Sequence, residues 1–272
     1  MADNTYENSP VAETSVTEPV KGKKKEKQKP DRLLNPENPN ATPFSVVEAY
    51  KNIRVQLTTI LEKFGGKTIA ISSPNASEGK STTAVNIAIT LSQLGKKVLL
   101  VDADIRRGTV HQKMKLENDK GCLDILAGTA SFKECVKQYN ASLDVLTCGK
   151  QLSNSCELFD SSAFDELLIF LAKNYDYVIF DTPPVNLVSD SLVISKKCDG
   201  LIYIIRSRVT TYEAFKKAKS STDKLGVNTL GVIINAVDSG AGKYYKYRYG
   251  RYGYSYHKRS YGYYGYYGRR DK

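Results

Sequence analysis

The sequence predicts an α/β domain, a mostly parallel sheet flanked by helices in three αβα layers, with a disordered leader before it and a disordered tyrosine-rich tail after it. Short, near-continuous apolar runs alternate with segments of helical periodicity, and strands apolar on both faces belong to a parallel sheet covered on both sides. The composition also changes sharply near residues 43 and 241, which divides the chain into a leader (1–43), a folded body (44–240) and a tail (241–272). A length of 272 residues suits one large α/β domain or two small ones, and the continuous alternation of strands and helices makes the body one.

The leader is rich in Glu, Asn, Lys and Pro and contains almost nothing that builds a core. Helical spacing begins near Phe44, where Val47, Tyr50, Ile53, Leu57 and Ile60 recur at three- and four-residue steps, with Ser45 and Glu48 as a capping-box pair. KTIAISS then reads as a strand, SEGKSTTAVNIAITLSQLG as a loop and a helix closing on Gly95, and KKVLLVDAD as a second strand. LDVLTCG is a strand, FDELLIFLAKNY a helix, and YDYVIFDTPP, GLIYIIRS and TLGVIINAV are three further strands.

Of the net charge of +11, residues 243–272 carry +8 and residues 21–32 carry +5, while the body stays near neutral. Basic ends suit an anionic leaflet or nucleic acid, or serve solubility. The five cysteines are scattered without metal-ligand spacing and fit a reduced cytosol as small buried hydrophobes. No stretch approaches the roughly 20 apolar residues of a bilayer span, and the polar, acidic N-terminus does not read as a signal peptide.

Twelve of the nineteen tyrosines lie in the tail: Tyr244, Tyr245, Tyr247, Tyr249, Tyr252, Tyr254, Tyr256, Tyr261, Tyr263, Tyr264, Tyr266 and Tyr267. Interleaved with Gly, Lys and Arg, they form neither a helix stripe nor a strand face, so they read as displayed phenols. Two readings fit: a set of acceptors for the chain's own phosphoryl transfer, or a low-complexity tail that binds nucleic acid or membrane.

SSPNASEGKST has the context of a phosphate loop, between a strand and a helix. Backbone N–H groups of Ser77, Glu78, Gly79 and Thr82 with the helix N-terminus face the anion, Lys80 reaches the terminal phosphates and Ser81 ligates Mg²⁺. Pro74 stands where the usual pattern has its first glycine. Asp181 ends one apolar strand, and Asp102 and Asp104 end another, two residues apart and so on one face of an extended chain. Three converging carboxylates require a cation or a bound proton. Singly, each fits the plainer role of capping the next helix.

The order SPNASEGKST, VLLVDADIRR, YVIFDTPP resembles the Walker A, A′ and B set of bacterial tyrosine kinases, P-loop NTPases related to the MinD/ParA ATPases and found with capsule and exopolysaccharide assembly. EAYKNIR is similar to that family's ExxRxxR oligomerisation motif, SNSCELF to its PNPxELL stretch, and the tail to its autophosphorylated tyrosine cluster. Lys51 replaces the middle arginine, Ala76-Ser77 stands for the usual Pro-Gly, Gly108 replaces a proline, and Asn75 occupies the place of the MinD/ParA signature lysine.

The resemblance implies an ATP- and Mg²⁺-dependent protein-tyrosine kinase that autophosphorylates its tail in trans and regulates capsular or extracellular polysaccharide synthesis and export. In that reading Lys80 neutralises the phosphates, and Ser81, Asp104 and Asp181 hold the metal. Asp102 accepts the phenol proton, while Arg106 and Arg107 stabilise phosphate charge or contact a neighbouring subunit. Glu48, Lys51 and Arg54 serve oligomerisation. The partners implied are a membrane adaptor with an activating cytoplasmic tail, further copies of the chain and a cognate phosphotyrosine phosphatase, with no nucleic acid. The location implied is cytoplasmic, at the inner face of the membrane through a partner. A MinD/ParA-like positioning ATPase and a non-catalytic ATP-binding scaffold are the alternatives.

Overall fold

The computed structural model describes residues 33–35, 38, 41–150 and 155–237, and the tail tyrosines lie outside them. The chain runs α1 (Phe44–Phe64), β1 (Thr68–Ser72), α2 (Lys80–Ser92), β2 (Val98–Asp102), then three short helices α3 (Val110–Met114), α4 (Cys122–Leu126) and α5 (Phe132–Cys135). It continues β3 (Val136–Asn140), β4 (Leu143–Leu146), a 3-10 turn (Ser155–Asp160), α6 (Ser162–Asn174), β5 (Tyr177–Asp181), α7 (Asp190–Lys197), β6 (Gly200–Arg206), α8 (Tyr212–Lys224) and β7 (Thr229–Asn235).

The seven strands form one sheet in the order β3-β4-β2-β5-β1-β6-β7. Every pair is parallel except β3 with β4. β1, β2 and β5 are buried along their whole length, as their unbroken apolar runs require. Two cores result: α1, α2 and α3 close over one face, and α4, α6, α7 and α8 over the other. The expected αβα layering is therefore present.

The differences from expectation have local causes. β3 was not foreseen, because VKQYN is polar and half-exposed, as befits an antiparallel edge strand. The expected Ser45–Glu48 capping box does not form. Pro43, extended at φ −55° and ψ 136°, precedes the helix, so Ser45 lies inside the first turn with no side-chain cap bond. Glu48 instead takes Lys51 at 2.8 Å. Leu61 rather than Ile60 completes the buried stripe of α1, after Leu57. Within the residues read as leader, Leu34 is buried against α2 and its N–H donates to Asn86 Oδ1 at 2.8 Å. Cys122, Cys135, Cys148 and Cys198 are free and buried, as expected.

Candidate active site

β1 delivers the chain to the loop Ser73–Gly79, and α2 starts at Lys80 with no acidic residue in its first turn. The N-terminus of α2 therefore keeps its full positive end for an anion. Gly79 has φ +102°, a conformation open to glycine, and a Cβ there would lie 1.9 Å from Asn235 Nδ2. Ser77 is also left-handed, at φ +62°.

The loop is braced from the β6–β7 side. The fully buried Glu78 carboxylate accepts from the Asn75 N–H at 2.9 Å and from Thr210 Oγ1 at 2.6 Å. Asn235 Nδ2 donates to the Glu78 carbonyl at 2.9 Å, and Arg206 Nη1 to the Ser77 carbonyl at 3.2 Å. The Glu78 side chain thus shapes the loop. Thr210, Arg206 and Asn235 were not singled out from the sequence. They lie more than a hundred residues from the loop, and only the polar Asn at the end of the apolar run TLGVIIN marked one of them.

The other side is acidic. β2 pairs with β5 in a register that sets Asp102 directly beside Asp181, both fully buried. Asp102 Oδ2 accepts from the Val110 N–H at 3.0 Å and Oδ1 from the Asp104 N–H at 3.3 Å. Asp104 lies beyond the strand, with Oδ2 3.3 Å from Lys80 Nζ and Oδ1 3.1 Å from the Arg107 N–H. Both Asp181 oxygens are buried without a hydrogen-bond partner of normal geometry. Burial is the main force raising the Asp181 carboxyl to about 6; the Lys80 charge and the nearby Ser81 hydroxyl pull it down, and Asp104 pushes it up. Burial, then the Asp181 and Asp104 charges, drive Asp102 well above the carboxylate range against its two backbone donors.

These residues fit a magnesium ion that arrives with a nucleotide. Asp181 offers two unengaged oxygens next to Ser81 and Lys80. Among the described residues no three His, Cys, Asp or Glu side chains could hold a metal by themselves. Mg²⁺ characteristically takes one or two protein ligands and completes its shell with phosphates and water.

Of the other predicted residues, Arg106 Nε binds the buried Asp190 at 3.1 Å, which ties the loop after β2 to the start of α7. Arg107 is exposed. A Cβ on Gly108 would fall 2.5 Å from Cys148 Sγ and 2.9 Å from Asp102 Oδ2, so a side chain there would have to displace one of them. Arg54 Nη1 donates to the Thr90 carbonyl of α2 at 2.9 Å, whereas Glu48 and Lys51 pair along α1.

Residues 66–213 match the AAA domain family. The tyrosine-protein kinase YwqD of Bacillus subtilis (strain 168) is 39% identical over 189 residues, covering 69% of this chain and 80% of the relative. The chain belongs to the bacterial tyrosine-protein kinases. Tyrosine-protein kinase CpsD of Streptococcus agalactiae is 33% identical over 69% of this chain and 82% of its own. The tyrosine-protein kinase wzc of Salmonella typhi is 31% identical, but this kinase spans only 32% of its length. Among solved structures, the chimerical protein CapA2B2 superposes with a TM-score of 0.70 at 34% identity, over 76% of this kinase and 90% of that chain. The kinase domain of Escherichia coli ETK gives 0.69 at 29% identity, over 71% and 76%. MinD of Pyrococcus horikoshii OT3, complexed with Mg-ADP, shares the fold with a TM-score of 0.54 at 22% identity, over 62% of this kinase and 69% of its own chain. The kinase resemblance is therefore met, and the positioning-ATPase alternative is not favoured.

Proposed function

We propose that this kinase transfers the γ-phosphoryl group of ATP, with Mg²⁺, to tyrosines of its C-terminal segment across subunits of a homo-oligomer. The observation that carries the reading is Asp181, with two buried, unengaged oxygens facing Lys80 and Ser81 at the open end of α2. That is a charge arrangement awaiting a cation and a polyphosphate.

In this assignment the N–H groups from Ser77 to Thr82 cradle the phosphates, and Lys80 neutralises the terminal ones. Ser81 and Asp181 hold the metal, which supplies charge neutralisation between the phosphates when bound. Asp104 keeps Lys80 oriented and supports the metal. Asp102 takes the phenol proton; burial, with the Asp181 and Asp104 charges, holds its pKa above the carboxylate range, in the direction of a phenol's. Glu48 and Lys51 on α1 are offered to a neighbouring copy, with Arg54 holding α1 on α2. Among the described residues no helix is long and apolar enough to cross a membrane. A membrane adaptor, a cognate phosphatase and control of capsular or extracellular polysaccharide complete the reading.

Purified protein incubated with Mg-ATP is expected to gain phosphotyrosine, and Lys80→Met to lose it at least a hundredfold with an unchanged circular dichroism spectrum. Phosphotyrosine retained in Lys80→Met would place the active site elsewhere.

A further inference from the structure

α8 seats one flank in the core: Ala218 and Thr222 are fully buried, and Tyr203 OH lies 3.0 Å from both the Ala218 carbonyl and Thr222 Oγ1. The adjoining flank lines an open trough of about 390 Å³, with Tyr212 and Phe215 beside Lys216, Lys219, Asp223 and Lys224. Lys219 pairs with Asp223. Lys216 and Lys224 have no acidic partner among the described residues.

The neighbouring edge of the sheet adds apolar surface. β7 is the outermost strand, and its register sets Val232 beside Tyr203 and Ile234 beside Ile205, on the sheet face that carries α8. Val232 is 42% and Ile234 58% exposed, although Ile233 between them packs into the opposite core. An aromatic and aliphatic surface with surplus lysines suits an aromatic ligand that carries negative charge.

We propose that this trough binds the kinase's own tail once its first tyrosines, Tyr244 to Tyr249, are phosphorylated. The inference rests on the kinase reading, and chain length and charge both support it. The Ser207 N–H donates to the Asn235 carbonyl at 2.9 Å, so β7 ends beside the loop that leads into α8. The described chain stops at Val237, two residues later, and Tyr244 follows after seven more. Seven extended residues reach about 24 Å, and the thirteen residues of α8 extend about 20 Å. Alternate tyrosines of an extended segment lie about 6.7 Å apart, near the roughly 5–6 Å between helix residues spaced like Lys216 and Lys219.

Charge makes the binding conditional. The tail is +8 before modification and is repelled by a lining of three lysines and one aspartate. Each phosphotyrosine adds about −1.5 to −2, so three of them reverse the sign of the segment around Tyr245–Tyr249. A bound tail withdraws finished tyrosines from the active site and clears it for the next acceptor.

The test uses full-length Lys80→Met protein, whose tail stays unmodified, and labelled synthetic peptides of residues 243–254. One peptide is unmodified and one carries phosphate on Tyr245, Tyr247 and Tyr249. Fluorescence anisotropy is expected to show at least tenfold tighter binding of the phosphopeptide. Adding Lys216→Gln, Lys219→Gln and Lys224→Gln should remove at least tenfold of it with the fold intact, while Lys63→Gln, Lys133→Gln and Lys173→Gln should cost less than twofold. Equal binding of the two peptides, or equal losses in the two lysine sets, overturns the proposal. Active chain that has phosphorylated itself should no longer take up the phosphopeptide. Undiminished uptake, or a doubled mass in light scattering on phosphorylation, overturns the assignment to the chain's own tail. Absence of phosphotyrosine after Mg-ATP would sink the kinase reading alone, because the synthetic phosphopeptide tests the trough without catalysis.

Discussion

On the β5 side of the phosphate loop, Asp104 pairs with Lys80, Asp102 lies beside Asp181, and Asp181 keeps two buried oxygens without partners. On the β6–β7 side, Glu78, Thr210 and Asn235 satisfy one another, and Arg206 holds the Ser77 carbonyl. The first arrangement costs stability as long as no cation is present, because buried unpaired charge is expensive. The second fixes the loop before any ligand arrives, so its donors need not reorganise on binding. One half of the site is prepared for rigidity and the other for an incoming charge. Removing the unpaired charge should therefore raise the stability of the nucleotide-free protein, and cutting a contact of the brace should lower it.

The largest effect is expected at Asp181. Asp181→Asn should lower phosphotransfer about a hundredfold or more, on the scale of losing one group aimed at transition-state charge. The same change should stabilise the nucleotide-free protein. A carboxyl raised in the folded state to about 6 binds its proton more tightly folded than unfolded. Its contribution to stability is thus fully present below the unfolded pKa near 4 and is lost as pH rises through about 6. Denaturant titrations should show Asp181→Asn more stable than the parent by about 1–3 kcal/mol at pH 7.5 and equal to it near pH 4. A variant less stable at pH 7.5 would mean that Lys80 and Ser81 already satisfy this carboxylate, and the contrast between the two sides would fail.

The brace should respond in the opposite sense. Gly79→Ala must adopt φ +102° and displace Asn235, a combined cost of about 3 kcal/mol or more. Asn235→Ala removes the one bond from the Glu78 carbonyl to β7 and should cost about 1–2 kcal/mol. Because the loop is positioned by it, Asn235→Ala should also raise KM for ATP several-fold with kcat nearly unchanged. A fall in kcat at constant KM would instead move Asn235 into the chemistry.

The same contrast explains what could be read from the sequence. The acidic half was legible because each of its carboxylates ends an apolar run, and a charge at such a place is conspicuous. The sheet was legible for the same reason, since β1, β2 and β5 are built on apolar runs and are buried throughout. The brace was not, because Thr210 and Asn235 are common loop residues whose meaning comes only from β6 and β7 lying beside β1. β3 escaped because an edge strand need not be apolar. The α1 capping box failed because a short motif was read without Pro43, which sets where the helix starts. Gly108 stood out as a departure from the family pattern, but its reason, Cys148 packed against Asp102, belongs to tertiary structure.

The smallest effect tests the brace at its strained point. Ser77 holds φ +62°, where a side chain costs about 1–2 kcal/mol and glycine is at ease. Its side chain is exposed, and the bond from Arg206 goes to its carbonyl, so glycine would keep the contact. Glycine also widens the unfolded ensemble, which returns about 0.5–1 kcal/mol of the relief. Ser77→Gly should therefore stabilise by about 0.5 kcal/mol, raising Tm by about 1–2 °C in a domain of this size, with KM for ATP unchanged. A lower Tm would show that the unfolded-state entropy outweighs the strain. A changed KM would show that the exposed hydroxyl itself meets the nucleotide, and that the β6–β7 side takes part in binding rather than only holding the loop.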